Sequence, residues 1–204
     1  MNLLTTIGIK TETVPTFEFS ISDAGSARVE KVLTEDKIGK FIVMHPGSGG
    51  SARDWSIEKF AMLGDALQKN NDLRVVLTGG KNEKDLAASL VSKMTSKPVN
   101  YAGTFSLQEL AALFKRASVF ISNSTGPLHI ASIVGTPVVA FYPPIIQCSP
   151  KRWGPYTEKK KVFTSDNTKC ELCKGGPCQS NICMDQITVD QVLSAVKELL
   201  NDNQ

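Results

Sequence analysis

Short runs of mainly apolar residues recur along the chain. They occupy residues 41–45, 73–77, 99–102, 118–121 and 138–142. Strands that are buried on both faces have this pattern, whereas strands with one solvated face alternate apolar and polar residues. The pattern therefore predicts strands of a sheet that is covered on both sides.

Helical patterns fill the spaces between these runs. Ser56 is a predicted N-cap, and Ser106 with Glu109 has the spacing of a capping box. Further helices are predicted from about Asn82 and after Thr188. Alternation of buried strands with amphipathic helices is typical of repeated β-α-β units. The predicted fold class is therefore α/β, with a Rossmann-like open parallel sheet.

The first part of the chain has little periodicity. An alternating pattern predicts an edge strand over residues 16–21, and a short helix is predicted over residues 27–33. We expect residues 1–40 to be a leading linker segment that packs on a single domain formed by residues 41–204.

The residues that follow three of the predicted strands share a chemistry. Glycine and small polar residues are concentrated in residues 46–50, 79–83 and 123–126, and the third turn leads into a helix predicted over residues 128–134. In an open parallel sheet the loops after the strands lie at the edge where ligands bind. Free N–H groups at a helix N-terminus attract phosphate. One such turn is most often an ordinary strand-to-helix connection, but three at one edge favour a nucleotide or another phosphate ligand.

Composition places the chain among globular proteins. Its 204 residues are 41% hydrophobic and 21% charged, with a formal net charge of +3. No apolar run reaches the roughly 20 residues of a membrane-spanning helix, and the start lacks the pattern of a signal peptide. We therefore expect a cytoplasmic protein. The basic run 158–161, near Lys151 and Arg152, has no interleaved aromatic residues, which predicts a solvated loop and no nucleic-acid partner.

The glycine turns match neither the dinucleotide-binding fingerprint nor the P-loop. Their sequences are His-Pro-Gly-Ser-Gly at 45–49 with Arg-Asp-Trp at 53–55, Gly-Lys-Asn-Glu at 80–83, and Asn-Ser-Thr-Gly-Pro-Leu-His-Ile-Ala at 123–131. In this order the motifs resemble the C-terminal half of glycosyltransferase family 9. These are the heptosyltransferases that build the inner core of lipopolysaccharide.

The resemblance implies one half of a GT-B enzyme, in which two Rossmann-like domains face each other across a cleft. The N-terminal domain holds the acceptor, and the C-terminal domain holds the nucleotide-sugar donor. The implied function is transfer of a heptose or related sugar from an ADP-sugar to a lipopolysaccharide-core acceptor. No metal or other cofactor is implied, because a cation of the protein can neutralise the diphosphate.

The resemblance also implies roles at the first two turns. Ser48 and Gly49 would lie at the donor phosphates, Arg53 would neutralise the diphosphate, and Glu83 would accept hydrogen bonds from the ribose hydroxyls. Two alternatives stay open: Arg53 could be a surface charge, and Glu83 could complement a helix dipole. Trp55 is predicted to pack in the core.

Further implied residues follow the third strand and the third turn. Phe105 and Leu107 would wall the adenine, although Phe105 could equally be core. A histidine on an apolar helix is more often structural than catalytic, which is the alternative for His129. The residues implied to close on the diphosphate are Ser124, Thr125, Gly126 and His129.

The chain departs from the family pattern in three respects. Ser124 stands where many members have Asp, and Arg53 stands where they usually have Lys. The N-terminal acceptor domain, with its expected general base, is not represented, so we predict no catalytic residue here. The chain alone should bind nucleotide and transfer nothing. Any peripheral association with the inner face of the inner membrane would be made by that other half.

Four cysteines lie close together near the C-terminus. Cys170, Cys173, Cys178 and Cys183 could form a zinc site or a loop of reduced thiols, and in a cytoplasmic chain a disulfide is the less favoured reading. Cys148 stands apart from them. Two other functions remain open: a non-catalytic nucleotide-sugar binding module, and an interaction domain centred on zinc.

Overall fold

The computed structural model describes residue 8 and residues 17–50, 53–69, 73–165 and 182–202. The strands are β1 (Phe41–His45), β2 (Arg74–Leu77), β3 (Val99–Asn100), β4 (Phe120–Asn123), β5 (Val138–Tyr142) and β6 (Lys160–Thr164). The helices are α1 (Asp23–Glu35), α2 (Ile57–Gln68), α3 (Lys84–Lys93), α4 (Leu107–Arg116), α5 (Gly126–Ile133), α6 (Pro150–Trp153), α7 (Ile182–Asp185) and α8 (Val189–Asn201). Two 3-10 turns occur at Lys81–Glu83 and Ile146–Cys148.

The described strands form a six-stranded sheet in the order β3-β2-β1-β4-β5-β6, and each described pairing is parallel. This confirms the predicted Rossmann-like open sheet. From β1 the chain moves outward to β2 and β3, and it then returns to place β4 on the other side of β1. Neighbouring connections therefore diverge between β1 and β4, which is where sheets of this kind bind ligands.

Two hydrophobic cores cover the two faces of the sheet. On one face, side chains of α2, α3 and α8, such as Phe60, Leu90 and Val196, pack on alternate strand residues. On the other face, α1, α4 and α5 supply residues such as Leu113 and Leu128. The strands are apolar on both sides because helices bury both sides.

The predicted helix N-termini are confirmed. The Ser56 hydroxyl accepts from the Lys59 N–H at 3.4 Å. At α4, the Glu109 carboxylate accepts from the Ser106 N–H at 2.7 Å, which completes the capping box. A second capping box, at Thr188, begins α8. These caps satisfy N–H groups that have no partner inside the helix.

Two predictions near the ends of the sheet are wrong. Residues 17–21 of the expected edge strand pair with no described strand, and a helix begins soon after them, at Asp23. The basic run is not a loop beyond residue 159, since Lys160–Thr164 is the edge strand β6. Val162 and Phe163 pack on opposite cores. The strand was missed because its lysines were read as a solvated loop. Lysine is nevertheless common on edge strands, where its charge discourages pairing with other chains.

In the part of the chain that the structure describes, no helix combines the length and the apolar character needed to cross a bilayer.

Candidate functional site

Asn123 joins the ends of the two strands at which the connections diverge. Its side-chain Nδ2 donates to the Pro46 carbonyl at 2.6 Å, and its Oδ1 accepts from the Trp55 N–H at 2.8 Å. The residue is completely buried at the end of β4. Asn123 therefore fixes the turn after β1 against the turn after β4. A single asparagine at the end of an apolar run was the only sequence signal for this role.

The turn after β1 is built on glycine. Gly49 and Gly50 have φ values of +60° and +79°, a backbone region that residues with a Cβ rarely adopt. Ser48 is buried beside them and shares a side-chain hydrogen bond with Asp54. The turn thus exposes the backbone of its glycines, while its serine side chain is buried and hydrogen-bonded to Asp54.

Glu83 lies where the turns after β1 and β2 meet. A Cβ atom on Gly47 would stand 2.0 Å from the Glu83 Oε1 atom, so only glycine fits there with the carboxylate in this position. The Gly80 N–H donates to Glu83 Oε2 at 2.6 Å. The carboxylate therefore caps the 3-10 turn at Lys81–Glu83, as the helix-dipole alternative expects. Its position at the sheet edge is also compatible with the predicted ribose contact.

Below Glu83, His45 is buried at the end of β1. Its Nδ1 lies 3.0 Å from the Thr78 hydroxyl, and its Nε2 lies 3.6 Å from Glu83 Oε2. Burial lowers the pKa of His45 to about 4, although the nearby Glu83 charge works in the opposite direction. His45 is consequently neutral at pH 7.

Asp54 is a charged residue of this edge that sequence reasoning passed over. Burial raises the pKa of Asp54 to about 6; the Ser48 hydrogen bond lowers it and the Glu83 charge raises it further. Its position between Arg53 and Trp55 was the available signal, but an acid beside an arginine is usually taken for a surface pair.

Arg53 and Trp55 lie on the side of the turn that faces α2 and α3. Arg53 lines a cavity of about 430 Å³, together with Pro46 and Leu86. Trp55 is buried as predicted: its ring stacks on Phe141 at a centroid distance of 4.4 Å, and its indole N–H donates to a carbonyl of the last helical region.

A second cavity, of about 350 Å³, lies against the turn after β4. The four residues predicted to close on a diphosphate all line it: Ser124, Thr125, Gly126 and His129. Thr125 is the N-cap of α5, and its side chain makes no capping hydrogen bond. The N-terminus of α5, which is the positive end of the helix dipole, therefore opens on this cavity.

The other wall of this cavity comes from residues that the sequence did not single out. Gln147 and Cys148 belong to the 3-10 turn after β5, and Trp153 ends the single-turn helix α6. Elements this short give no periodic signal. The Tyr142 hydroxyl donates to the Trp153 carbonyl at 2.6 Å, and it also shares a hydrogen bond with Ser124. Burial raises the pKa of Tyr142 to about 12, which the Ser124 bond partly offsets. Tyr142 therefore connects both walls.

His129 is half-buried in the same cavity. Burial lowers the pKa of His129 below its ordinary value. A neutral imidazole that faces the cavity can donate or accept one hydrogen bond at each nitrogen. The structure thus places His129 at a cavity wall and not wholly inside the core.

The two predicted adenine-wall residues lie further along the edge, after β3. Phe105 packs edge-on against Tyr101 at 5.3 Å, and the Arg28 guanidinium lies 5.8 Å from its ring centre. Leu107 is 63% exposed. Neither residue lines the two cavities, so their contact with adenine stays a prediction.

The zinc hypothesis concerns residues that are mostly outside the described part of the chain. Cys170, Cys173 and Cys178 are not among the described residues, whereas Cys183 is buried in the core with α2 and α8. The zinc site remains a prediction.

A sequence model of glycosyltransferase family 9 (heptosyltransferase) matches residues 4–183. The match begins well before residue 41, where the resemblance of motifs begins. The chain is 27% identical over 198 residues to the lipopolysaccharide core heptosyltransferase OpsX of Haemophilus influenzae, covering 91% of this chain and 55% of that protein. It therefore spans about half the length of the curated relatives that it matches.

Solved structures agree on the fold. A glycosyl transferase family 9 structure from Veillonella parvula superposes with a TM-score of 0.83 at 24% identity, covering 98% of this chain and 58% of that one. The E. coli heptosyltransferase WaaC with ADP gives a TM-score of 0.65 at 18% identity, over 96% and 53% of the two chains. At these identities the likeness shows the fold. Because the family model covers most of the sequence, and the sheet agrees with it, the chain belongs to glycosyltransferase family 9 (heptosyltransferase).

Proposed function

We propose that this chain is the donor-binding, C-terminal half of an enzyme that transfers a heptose or related sugar from an ADP-sugar to a lipopolysaccharide-core acceptor. One observation carries the proposal: the turn after β1 and the N-terminus of α5 lie side by side where the connections diverge, tied together by Asn123. The relatives support it, since OpsX is named a core heptosyltransferase and the WaaC structure contains ADP.

In this proposal the diphosphate binds at the cavity beside α5. Its lining includes Thr125 and Gly126 at the positive end of the helix, with His129 one turn further. A Cβ atom built on Gly126 would meet no neighbouring atom within 4 Å, so a ligand can approach the backbone from that side. Oriented N–H groups stabilise the charge that develops as the nucleotide leaves.

In this proposal Arg53, which lines the other cavity on the α2 side of the turn after β1, supplies the cation of the site. It stands five residues beyond Ser48 on the same turn, where a guanidinium can form two parallel hydrogen bonds with phosphate oxygens. This cation makes a bound metal unnecessary in the scheme. Glu83 accepts from the ribose hydroxyls, and Phe105 with Leu107 flanks the base.

The acceptor and the general base belong, in this proposal, to the other half of the enzyme. Transfer requires a base that deprotonates the attacking hydroxyl, and we assign no residue of this chain to that role. The chain alone therefore binds nucleotide without transferring sugar. Contact with the inner face of the inner membrane is likewise assigned to the other half.

Calorimetric titration of ADP, with UDP and GDP as controls, tests the proposal. We expect saturable binding that is selective for ADP. Arg53→Ala should weaken it by about tenfold or more, because hydrogen bonds between charged groups contribute about 1.5–3 kcal/mol. Arg116→Ala is the matched control, since Arg116 pairs with Glu30 at the end of α4. Absence of nucleotide binding, or equal weakening by both variants, would contradict the proposal.

A further inference from the structure

Three buried polar side chains form a row across one face of the sheet. His45 and Ser122 are register partners in β1 and β4, and Thr78 follows the last residue of β2. All three are buried. Towards the other end of the strands this face is apolar, with Phe41, Val43, Val76 and Phe120 in the core. Burying a polar group without a partner costs stability. The Ser122 hydroxyl has no hydrogen-bond partner among the described residues, whereas His45 and Thr78 lie within hydrogen-bond distance of each other.

His45 has a polar neighbour at each ring nitrogen. The Thr78 hydroxyl lies 3.0 Å from Nδ1, and Glu83 Oε2 lies 3.6 Å from Nε2. An ionised carboxylate can only accept, so the nitrogen that faces Glu83 carries the ring proton. The Thr78 hydroxyl then donates to Nδ1. The Thr78 hydroxyl thus donates to one nitrogen of His45, and the other nitrogen of His45 directs its proton toward the Glu83 carboxylate.

The two glycine turns also restrain the Glu83 carboxylate. Gly80 donates to Oε2 at 2.6 Å, while Oε1 occupies the space left by the missing side chain of Gly47. A Cβ on Gly79 would approach the Glu83 Cβ to 3.2 Å. Two glycine turns and an imidazole thus define one position for a carboxylate whose side chain is 21% exposed.

We propose that His45, held by Thr78, is a positioning residue that orients Glu83 toward the ribose hydroxyls of the bound nucleotide. The inference rests on the proposed function, because it takes Glu83 as the ribose acceptor. The Glu83 carboxylate must accept from two neighbouring hydroxyls. If it rotates freely before binding, fixing its rotamer costs conformational entropy when the nucleotide binds, and the affinity for the nucleotide falls. A purely structural histidine would not need its second nitrogen aimed at the ligand side.

The test compares two ligands, ADP and 2′,3′-dideoxy-ADP, in calorimetric titrations of the full chain. His45→Leu should lower the affinity for ADP about tenfold and change the affinity for the dideoxy analogue by less than about twofold. Thr78→Val should act in the same direction with a smaller effect. His45→Gln, which keeps an N–H near the position of Nε2, should recover much of the ADP affinity. In a Glu83→Gln background, His45→Leu should have no further effect on either ligand.

Thr136→Val is the matched control for Thr78→Val. Thr136 is also a buried threonine with one hydrogen bond, from its hydroxyl to the Phe114 carbonyl at 2.6 Å, but it lies before β5 at the opposite end of the sheet. Its variant should leave both ligands unaffected. Thermal unfolding checks each variant, and if His45→Leu fails to fold, His45→Gln and Thr78→Val decide the question.

The outcomes separate the two proposals. Equal weakening of ADP and its dideoxy analogue by His45→Leu, or no weakening of either, overturns the positioning role while the donor site stands. If the unmodified chain binds no ADP, the proposed function fails, and the positioning role fails with it.

Discussion

Asp54 and His45 lie at the same edge of the sheet. Burial disfavours the charged form of each, so it raises the pKa of Asp54 and lowers the pKa of His45. The pKa of Asp54 rises from 3.8 to about 6, so the folded state holds this proton more tightly than the unfolded state does. Stability from this group is present below about pH 4 and is lost as the pH rises through 6. The pKa of His45 falls from 6.5 to about 4, so its contribution is lost as the pH falls through that range. As the pH rises from about 4 to 6, the Asp54 contribution to stability therefore decreases while the His45 contribution increases.

Asp54→Asn should therefore make the protein relatively more stable as the pH rises from about 4 to 6. The gain relative to the unmodified chain should be roughly 1–2 kcal/mol, because one pKa unit corresponds to about 1.4 kcal/mol and partial exposure reduces the effect. Urea unfolding at a series of pH values measures it.

Asp65→Asn provides the contrast. Burial acts to raise the pKa of the Asp65 carboxyl, but the hydrogen bonds that it accepts from Ser96 and Thr95 together outweigh burial, so its pKa is lowered. Relative to the unmodified chain, this variant should lose stability as the pH rises to about 4 and should change little between about pH 4 and 6. Parallel pH profiles for the two variants would refute the account of Asp54.

At the scale of elements, the start of α5 shows a conflict between stability and binding. Thr125 is the N-cap, but its side chain makes no capping hydrogen bond. The helices α2, α4 and α8 all have capping side chains at the same position. Helices α3 and α6 also begin without a side-chain cap, but α5 differs from them because its first residues line the cavity.

Thr125→Asp should stabilise the fold and impair ADP binding. A carboxylate at the N-cap contributes about 0.5–1 kcal/mol through capping and the helix dipole, so the melting temperature should rise by a few degrees. The same charge repels a diphosphate, so affinity should fall at least about tenfold. Thermal unfolding and calorimetry measure the two effects.

Thr188→Asp is the matched control, because Thr188 is the N-cap of α8 and caps it through its hydroxyl. It should leave ADP binding unchanged. Retained affinity in Thr125→Asp would place the diphosphate away from α5.

At the scale of the whole molecule, α1 is joined to the core that the later strands build. Val29 and Leu33 are buried with residues of β1, α4 and α5. The Arg28 guanidinium also bonds Glu109 of the α4 capping box at 2.6 Å. The segment before residue 41 therefore contributes to the packing of the sheet through this helix.

Leu33→Ala should lower the free energy of unfolding by about 2–4 kcal/mol in one cooperative transition, since it opens a cavity in a packed core. The control is Met62→Ala on α2, because Met62 is 60% exposed and Leu33 only 3%. Chemical denaturation followed by circular dichroism gives both values. A cost for Leu33→Ala no larger than that for Met62→Ala would mean that α1 is not part of the cooperative unit.

Sequence reasoning located most elements because their signals are local. The strands at 41–45 and 138–142 have the predicted bounds, and the caps at Ser56, Ser106 and Thr188 are where the pattern placed them. It failed at β6, where lysines outweighed a short apolar pattern, and it did not find α6 or α7, which are each a single turn. Short elements leave too few residues to establish a period.

The sequence by itself determined the fold class and the residue types at the ligand edge, because buried parallel strands and capped helices depend on the chemistry of neighbouring residues. Only the tertiary structure decided which of those residues meet. Asn123 contacts Pro46 across 77 positions, and His45 contacts Thr78 across 33. Strand order sets such pairs, and strand order follows from how the whole sheet buries its two faces, which no local pattern records.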